Sequence, residues 1–223
     1  MSAPLRIEGL RVAGGTGPAI DFELPSHTGV SIVGEETSGI DALARIALGR
    51  RPPADGRIVI FDTDIRALPR SDALAFRRRV GYLPAGDGLL QNLTLRDNIA
   101  LPLRFGSDFT DREIDGRLNV LLATVRLTDA ARYRPAQVSD EQRRRATLAR
   151  ALAFDPKLVL LDQPFVGLTQ RAARDIVDLA RGGETADGSR RTVLALGHSL
   201  PHAIHSRFER RFRLTSDGLI PLG

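Results

Sequence analysis

Two short, largely apolar runs constrain the fold of this chain more than any other feature. Residues 158–161 read LVLL and residues 192–196 read TVLAL. Strands without polar alternation are buried on both faces, which is typical of parallel sheets covered by helices. The sequence therefore predicts an α/β domain whose buried sheet includes both runs.

The rest of the chain divides into strands, a helical block, and strands again. Further strands are predicted at 5–12, 19–24, 30–33, 57–61 and 79–83, with a glycine-rich turn at 14–17. Helical spacing over 42–48 ends at Gly49, and a second helix is predicted over 172–181. Residues 89–153 are helical in pattern, with Thr94, Thr110 and Ser139 as N-caps. This order predicts a sheet domain into which a helical subdomain is inserted.

A loop between a predicted strand and helix is the first candidate site. It reads GEETSGID, and its glycines fall where the phosphate loop G-x-x-x-x-G-K-[ST] requires them. The candidate binding residues are Gly34, Thr37, Ser38, Gly39, Ile40 and Asp41. Two glycines are a weak signal, since an ordinary turn between strand and helix gives the same pattern.

Five other segments agree with that interpretation in order and separation. They are VGY at 80–82 with LLQNLTLRDNIALPL at 89–103, VSDEQRRR at 138–145, ATLARALAFD at 146–155, LVLLDQPF with VGLT at 158–169, and His198. Together with the loop, they resemble the ATP-binding cassettes of ABC transporters. In this resemblance 138–145 replaces the signature LSGGQ with its following arginine, 158–165 is Walker B, and His198 is the switch histidine. The resemblance covers essentially the whole chain.

The resemblance implies an architecture, cofactors and partners. It implies a P-loop NTPase (RecA-like) core with an antiparallel β subdomain and an inserted helical subdomain. The whole chain, 1–223, is expected to form one cassette. Its core is expected at 1–84 and 154–223, and its helical subdomain at 85–153. ATP and Mg are the implied cofactors, and a membrane permease and a second cassette subunit are the implied partners. Residues 163–168 and 198–201 are also similar to ATPases of MCE-type bacterial lipid-trafficking systems.

The residues that hold ATP in this family are largely replaced. The phosphate-binding lysine is Ile40, and the Mg²⁺-binding hydroxyl is Asp41. The chain's one lysine is Lys157, just ahead of Walker B. A carboxylate near the first turn of a helix can cap backbone N–H groups, so Asp41 is predicted to cap its own helix. With Glu35 and Glu36, it would place three carboxylates at a pocket for a polyanion.

The residues of hydrolysis and of the signature also depart from the family. Asp162 and His198 remain, whereas the general-base glutamate is Gln163 and the Q-loop glutamine is Ala85. The adenine-stacking aromatic falls near Val12. In the signature Ser139 and Gln142 are kept, whereas the glycines are Asp140 and Glu141, which would present two negative charges to a partner's ATP.

These departures predict a non-catalytic cassette that docks on a permease as scaffold or regulator. The alternatives are a working ATPase with unusual ligands, a free-standing regulatory protein, and a decaying gene copy. Intact apolar periodicity and helix caps argue against decay. No metal site other than that of Mg·ATP is predicted.

Composition adds two expectations, on nucleic acid and on location. The net charge is +5, and the arginine clusters at 77–79 and 143–145 are predicted as solvated helix faces rather than as a nucleic-acid site. An anionic membrane surface is an equally good explanation for them. Without cysteine or an apolar run of the ~18–20 residues that a span needs, a cytoplasmic protein held to the membrane by its permease is expected.

Overall fold

The computed structural model describes residues 3–12, 18–183 and 190–222. Its strands are β1 (Leu5–Arg11), β2 (Ile20–Leu24), β3 (Gly29–Gly34), β4 (Asp55–Ile60), β5 (Val80–Leu83), β6 (Leu158–Asp162), β7 (Thr192–Gly197), β8 (Arg210–Thr215) and β9 (Gly218–Leu222). Its helices are α1 (Ile40–Ala47), α2 (Arg70–Arg77), α3 (Leu95–Gly106), α4 (Asp111–Thr124), α5 (Asp140–Ala151) and α6 (Gln170–Arg181). The predicted glycine-rich turn at 14–17 lies outside the described residues.

The strands form two sheets. The larger has the order β5-β6-β7-β3-β8-β9, in which only β9 runs antiparallel to its neighbour within the described residues. The smaller is antiparallel, with the order β2-β1-β4. The predicted α/β fold, with a parallel sheet and an antiparallel β part, is confirmed.

The central strands explain the runs of apolar sequence. Every residue of β3, β6 and β7 is buried. One face of the sheet packs with α1 in a cluster that includes Leu43 and Ile46. The other packs with α6 through Ile176 and Val177. Because both faces are covered, nearly all positions on these strands are apolar, and the polar exceptions are Ser31, Asp162 and Thr192.

Helices α3, α4 and α5 share a separate apolar cluster, which includes Leu95, Ile99 and Leu118. All three predicted N-caps are confirmed. The hydroxyls of Thr94, Thr110 and Ser139 accept hydrogen bonds from the backbone N–H groups of Asp97, Glu113 and Gln142. The division of the chain at residues 85 and 153 stays a prediction.

The structure corrects one prediction about the arginine clusters. Arg144 and Arg145 are only 7% and 9% exposed, so the cluster at 143–145 is not a solvated face. The Arg144 guanidinium donates to backbone carbonyls such as that of Pro164, and that of Arg145 bonds to Asp175 of α6, contacts that a helical pattern does not reveal. In the other cluster, Arg77 ends α2, and Arg78 and Arg79 follow it at the surface. Across the described ranges, no helix has the length and apolar character that crossing a membrane requires.

Candidate functional site

The loop from Gly34 to Asp41 connects β3 to α1 and bonds to itself. Residues Glu36–Ser38 form a short 3-10 turn, closed by a hydrogen bond from the Ser38 N–H to the Glu35 carbonyl at 2.9 Å. The Ser38 hydroxyl donates to the same carbonyl at 2.6 Å and accepts weakly from the Ile40 N–H at 3.4 Å. A Cβ at Gly34 would lie 2.5 Å from this hydroxyl, so the loop needs glycine there.

The second glycine of the loop serves its backbone. Gly39 has φ +81°, the left-handed region that suits glycine, and a Cβ there would lie 2.8 Å from a Val12 methyl. Ile40, at the lysine position, is 1% exposed and belongs to the main apolar core. Thr37 lines the cavity beside the loop. The glycines therefore have structural roles without a ligand.

The carboxylate of Asp41, on α1, bonds to the side chains of the residues that directly follow β6 and β7. Its Oδ1 accepts a hydrogen bond from the Gln163 Nε2 at 2.8 Å and lies 3.3 Å from the His198 Nε2. The prediction that Asp41 caps its own helix is wrong. Helix α1 begins after Gly39 without a side-chain cap, because the carboxylate is turned toward the ends of β6 and β7 instead.

Gln163 and His198 complete this set of contacts, which we call the Asp41 cluster (Asp41, Gln163 and His198). The Oε1 of Gln163 accepts from the His198 backbone N–H at 3.2 Å, so both ends of its amide are used. The His198 Nδ1 lies 3.0 Å from the Gly34 carbonyl oxygen. Gln163 has φ +47°, a strained value for a residue with a Cβ. The cluster joins the ends of three adjacent strands, β6, β7 and β3.

Asp162, the preserved Walker B aspartate, has a partner that the sequence did not suggest. It is 6% exposed, and its Oδ2 accepts a hydrogen bond from the Tyr82 hydroxyl at 2.9 Å. Burial raises the pKa of Asp162, against the lowering effect of that bond. Burial and the neighbouring carboxylate raise the pKa of Tyr82 to about 12. The Tyr82 hydroxyl is therefore a protonated donor at neutral pH.

Arg144 occupies the junction between this site and the helices. Its guanidinium donates to the carbonyls of Pro84, Ala85, Gly86, Asp162, Gln163 and Pro164, at 2.6–3.3 Å. Burial lowers its pKa to about 10, so the group remains a cation at neutral pH. Ala85, at the Q-loop position, is exposed and takes part through its backbone oxygen. One side chain of α5 thus holds the segments after β5 and β6 together.

The side chains of the signature segment form hydrogen bonds and ion pairs with residues of α5 and of the neighbouring helix α6. Ser139 and Gln142 form a reciprocal capping box at the start of α5. The Asp140 carboxylate contacts the Arg143 guanidinium, and Glu141 pairs with Arg145 at 2.6 Å. Arg145 also pairs with Asp175 of α6 at 2.6 Å. Each carboxylate thus has an arginine partner on its own helix, and the prediction that the two face a partner's ATP stays a prediction.

A cavity of about 300 Å³ lies beside the loop. It is lined by Gly34, Glu35, Thr37, Ser38, His198, Arg213, Thr215 and Ser216 and by apolar residues that include Val12 and Ile20. Val12 therefore lies where the resemblance expected an aromatic side chain. Arg213 was not predicted to belong to the site, because it lies on β8, a strand that the sequence did not reveal. Strand β8 pairs with β3, and Arg213 is opposite Val33 in that pairing.

Comparison with known proteins gives matches along most of the chain. A family profile described as "ABC transporter" matches residues 18–166. The chain is 35% identical over 172 residues to a methionine import ATP-binding protein, MetN 2, of Pseudomonas aeruginosa, covering 76% of this chain and 51% of that protein. A MetN 1 of Pseudomonas syringae is 34% identical over the same share. The chain spans about half the length of these curated relatives.

Solved structures agree on the fold. The dimeric structure of MJ0796, a bacterial ABC transporter cassette, superposes with a TM-score of 0.83 at 24% identity, covering 96% of both chains. The structure of cbiO1 from Clostridium perfringens, part of an ABC transporter complex, gives a TM-score of 0.83 at 17% identity, covering 99% of this chain and 88% of that one. The predicted cassette architecture is confirmed.

Proposed function

The chain belongs to the ABC transporter family, and from this membership we propose that it is a cassette subunit that docks on a membrane permease without hydrolysing ATP. The observation that carries the proposal is the Asp41 cluster. The residue at the Mg²⁺-binding position is a carboxylate held by the residue at the general-base position, with 2.8 Å between the two side chains. Side chains that bond to one another in this way are not available to a nucleotide.

The residues present do not fit Mg·ATP. Binding needs a cation for the β- and γ-phosphates, a hydroxyl for Mg²⁺ and free backbone N–H groups at the helix N-terminus. Ile40 supplies no cation and is buried in the core. Ser38 folds its hydroxyl back onto the loop. Gln163 cannot take a proton from water at neutral pH, so the position that activates the attacking water in the family carries no base.

Charge opposes a polyanion at the same place. Glu35 lines the cavity, and Glu36 and Asp41 belong to the same loop. At an effective dielectric of 20, a like-charge pair ~4 Å apart costs about 4 kcal/mol before screening. That is on the order of the whole binding free energy of a millimolar ligand. Arg213 lies on the neighbouring strand β8, and one exposed guanidinium does not offset these carboxylates.

The signature segment supports the loss of the second half of the site. In the family, its glycines let the backbone approach the partner's nucleotide. Asp140 and Glu141 place side chains there, and their ion pairs with Arg143 and Arg145 hold those side chains at the start of α5. Both the bulk and the charge of these side chains therefore oppose the approach of a nucleotide. A cassette with this segment would not complete a partner's site either.

The partners follow from the family and from the names of the relatives. Methionine import proteins are among the sequence matches, which supports an importer as the assembly. The permease would contact the segment at 89–103, where Leu90 is 48% exposed. A second cassette would complete the dimer, and the subunit would lie at the cytoplasmic face of the membrane. The likeness to MCE-type lipid-trafficking ATPases stays a prediction.

Calorimetry with Mg·ATP tests the proposal directly. We expect no heat of binding to the purified chain up to several millimolar ATP, and no phosphate release. The matched variant is a triple substitution, Ile40→Lys, Asp41→Ser and Gln163→Glu, which rebuilds the family's residues and should gain binding. Micromolar affinity of the unmodified chain for Mg·ATP would refute the proposal and favour a working ATPase with unusual ligands.

Co-expression with permease candidates separates the remaining alternative. A subunit of a transporter should co-purify with a permease in detergent, and Leu90→Asp should weaken that complex. Val120→Asp, on the exposed side of α4, is the control for an added charge at an apolar surface position. If the chain co-purifies with none of the permeases whose genes lie next to its own, it would instead be a free-standing regulatory protein.

A further inference from the structure

The cavity beside the loop carries two opposite charges that have no partner in the described part of the chain. Its lining includes three titratable side chains, of which His198 belongs to the Asp41 cluster, whereas Glu35 and Arg213 do not. Both are exposed, and within the described residues neither side chain forms a hydrogen bond, an ion pair or a ring contact. Arg213 has no role in the proposed function, and Glu35 enters it only as an obstacle to a polyanion. The pair is therefore open to a ligand of another kind.

The sheet places these two charges on the same face. Strands β3 and β8 are parallel neighbours, and Arg213 is opposite Val33. Glu35 continues β3 with extended backbone angles, φ −69° and ψ 162°, so its side chain lies on the same face as that of Val33, two positions earlier. Glu35 and Arg213 are thus diagonal neighbours on adjacent strands, a separation that long side chains can span. A small ligand between them can contact both side chains at once.

Much of the remaining lining of the cavity is apolar. Four core side chains contribute to it, namely Val12, Ile20, Val33 and Leu214. The Thr37 hydroxyl also lines the cavity and makes no hydrogen bond to the described residues. The volume of about 300 Å³ is at the lower end of the range for small-molecule sites. The cavity therefore suits a small ligand with a charged end and an apolar end.

We infer that this cavity binds a small zwitterion, an α-amino acid with an aliphatic side chain. Its ammonium group would bind Glu35, its carboxylate would bind Arg213, and its side chain would contact the apolar lining. An anion is repelled by Glu35 and a cation is repelled by Arg213, so only a ligand with both charges gains from both residues. The inference rests on the proposed function, because the cavity must be free of nucleotide.

Titration of the full chain with L-leucine, followed by NMR of the backbone amides, tests the inference. We expect shifts at residues 33–38 and 213–216 and a Kd of about 1 mM, because both charged contacts are exposed to solvent. Three related probes each remove one feature of the ligand. N-acetyl-L-leucine lacks the ammonium group, L-leucinamide lacks the carboxylate, and glycine lacks the side chain. Each should bind at least about tenfold more weakly than L-leucine.

Substitutions at the two charges have matched controls. Glu35→Gln and Arg213→Gln should each weaken the binding of L-leucine about tenfold. Glu36→Gln removes the same charge from the same loop, and Arg210→Gln removes it from the other face of β8, both outside the cavity lining. A zwitterion has no net charge, so both controls should bind within about twofold of the parent chain. All four positions are exposed, and the variants should keep the melting temperature of the parent.

Three outcomes would overturn the inference and leave the proposed function intact. The first is an absence of shifts at tens of millimolar L-leucine, with no binding of Mg·ATP. The second is equal binding of L-leucine and N-acetyl-L-leucine, which would identify a site for anions alone. The third is an equal loss in the cavity variants and in their controls, which would place the ligand elsewhere. Micromolar binding of Mg·ATP would instead refute the proposed function, and the inference with it.

Discussion

Replacing Arg144 with methionine should destabilise the chain strongly, although the residue lies on a helix whose sequence suggests a solvated face. The side chain is 7% exposed and donates to six carbonyl oxygens in two segments, 84–86 and 162–164. Methionine fills a similar volume but donates no hydrogen bond. The substitution therefore removes the donors and leaves their acceptors in place.

The expected loss can be worked from these contacts. Hydrogen bonds to a charged group contribute ~1.5–3 kcal/mol each, and an unpaired buried acceptor costs ~1–3 kcal/mol. Six bonds from one planar group are not additive, and release of the buried cation offsets part of the loss. We expect about 4 kcal/mol, a large share of the ~5–15 kcal/mol that stabilises a typical domain. Arg144→Lys keeps the charge with fewer donors and should lose about half of that amount.

Equilibrium unfolding in urea measures this loss. The control is Arg112→Met on the exposed side of α4, which should change the free energy of unfolding by less than about 0.5 kcal/mol. Hydrogen exchange should also rise first at the amides of residues 85–88, because the carbonyls of residues 84–86 lose their donor. A loss below about 1 kcal/mol for Arg144→Met would refute the reasoning, because it would mean that water replaces the guanidinium without cost.

The other predictions concern the loop, a helix cap and a buried acid. Gly39→Ala should lower the free energy of unfolding by about 2 kcal/mol, because Gly39 has a positive φ and the added methyl group would meet Val12. Gly116→Ala in α4, with open space around it, should instead stabilise the chain by up to about 1 kcal/mol. Calorimetric melting compares the two variants, and equal effects would contradict the role of the loop geometry. Thr110→Ala should cost about 1 kcal/mol by removing the cap of α4, and Thr110→Ser should restore it, as followed by helicity on urea titration. Asp162→Asn should stabilise the chain at pH 7. The raised pKa of Asp162 means that the folded state binds its proton more tightly, so the carboxylate lowers stability as pH rises from the unfolded pKa through the folded one. Unfolding free energies from pH 4 to 7 should decline less in the variant, and parallel profiles would refute the assignment.

Much of the fold follows from local patterns. Strands β6 and β7 are buried at every position, so their sequences consist of apolar runs in which only the last residue of β6, Asp162, and the first of β7, Thr192, are polar. The caps at Thr94, Thr110 and Ser139 are visible because each bonds to a backbone N–H three residues ahead. Strand β8 escaped prediction because only two of its residues, Phe212 and Leu214, are buried among the arginines, so its alternating pattern is short. Its place in the sheet depends on pairing with a strand far away in the sequence.

The candidate site could also be predicted only in part from the sequence. Positions that differ from the family, such as Ile40 and Gln163, can be identified from one sequence because the motif fixes their spacing. Their partners cannot, since Tyr82 meets Asp162 across 80 positions. The wrong prediction for Asp41 has this origin: a capping role is local, whereas the observed contact with Gln163 spans 122 positions.

The Asp41 cluster has a consequence for the life of the protein in a cell. A protein that binds a ligand only when folded is stabilised by mass action, so its stability follows the ligand's concentration. In this chain the ends of β3, β6 and β7 are joined by the protein's own side chains. We therefore expect the folded fraction of this chain to be the same in starved and in well-fed cells, whatever happens to their ATP.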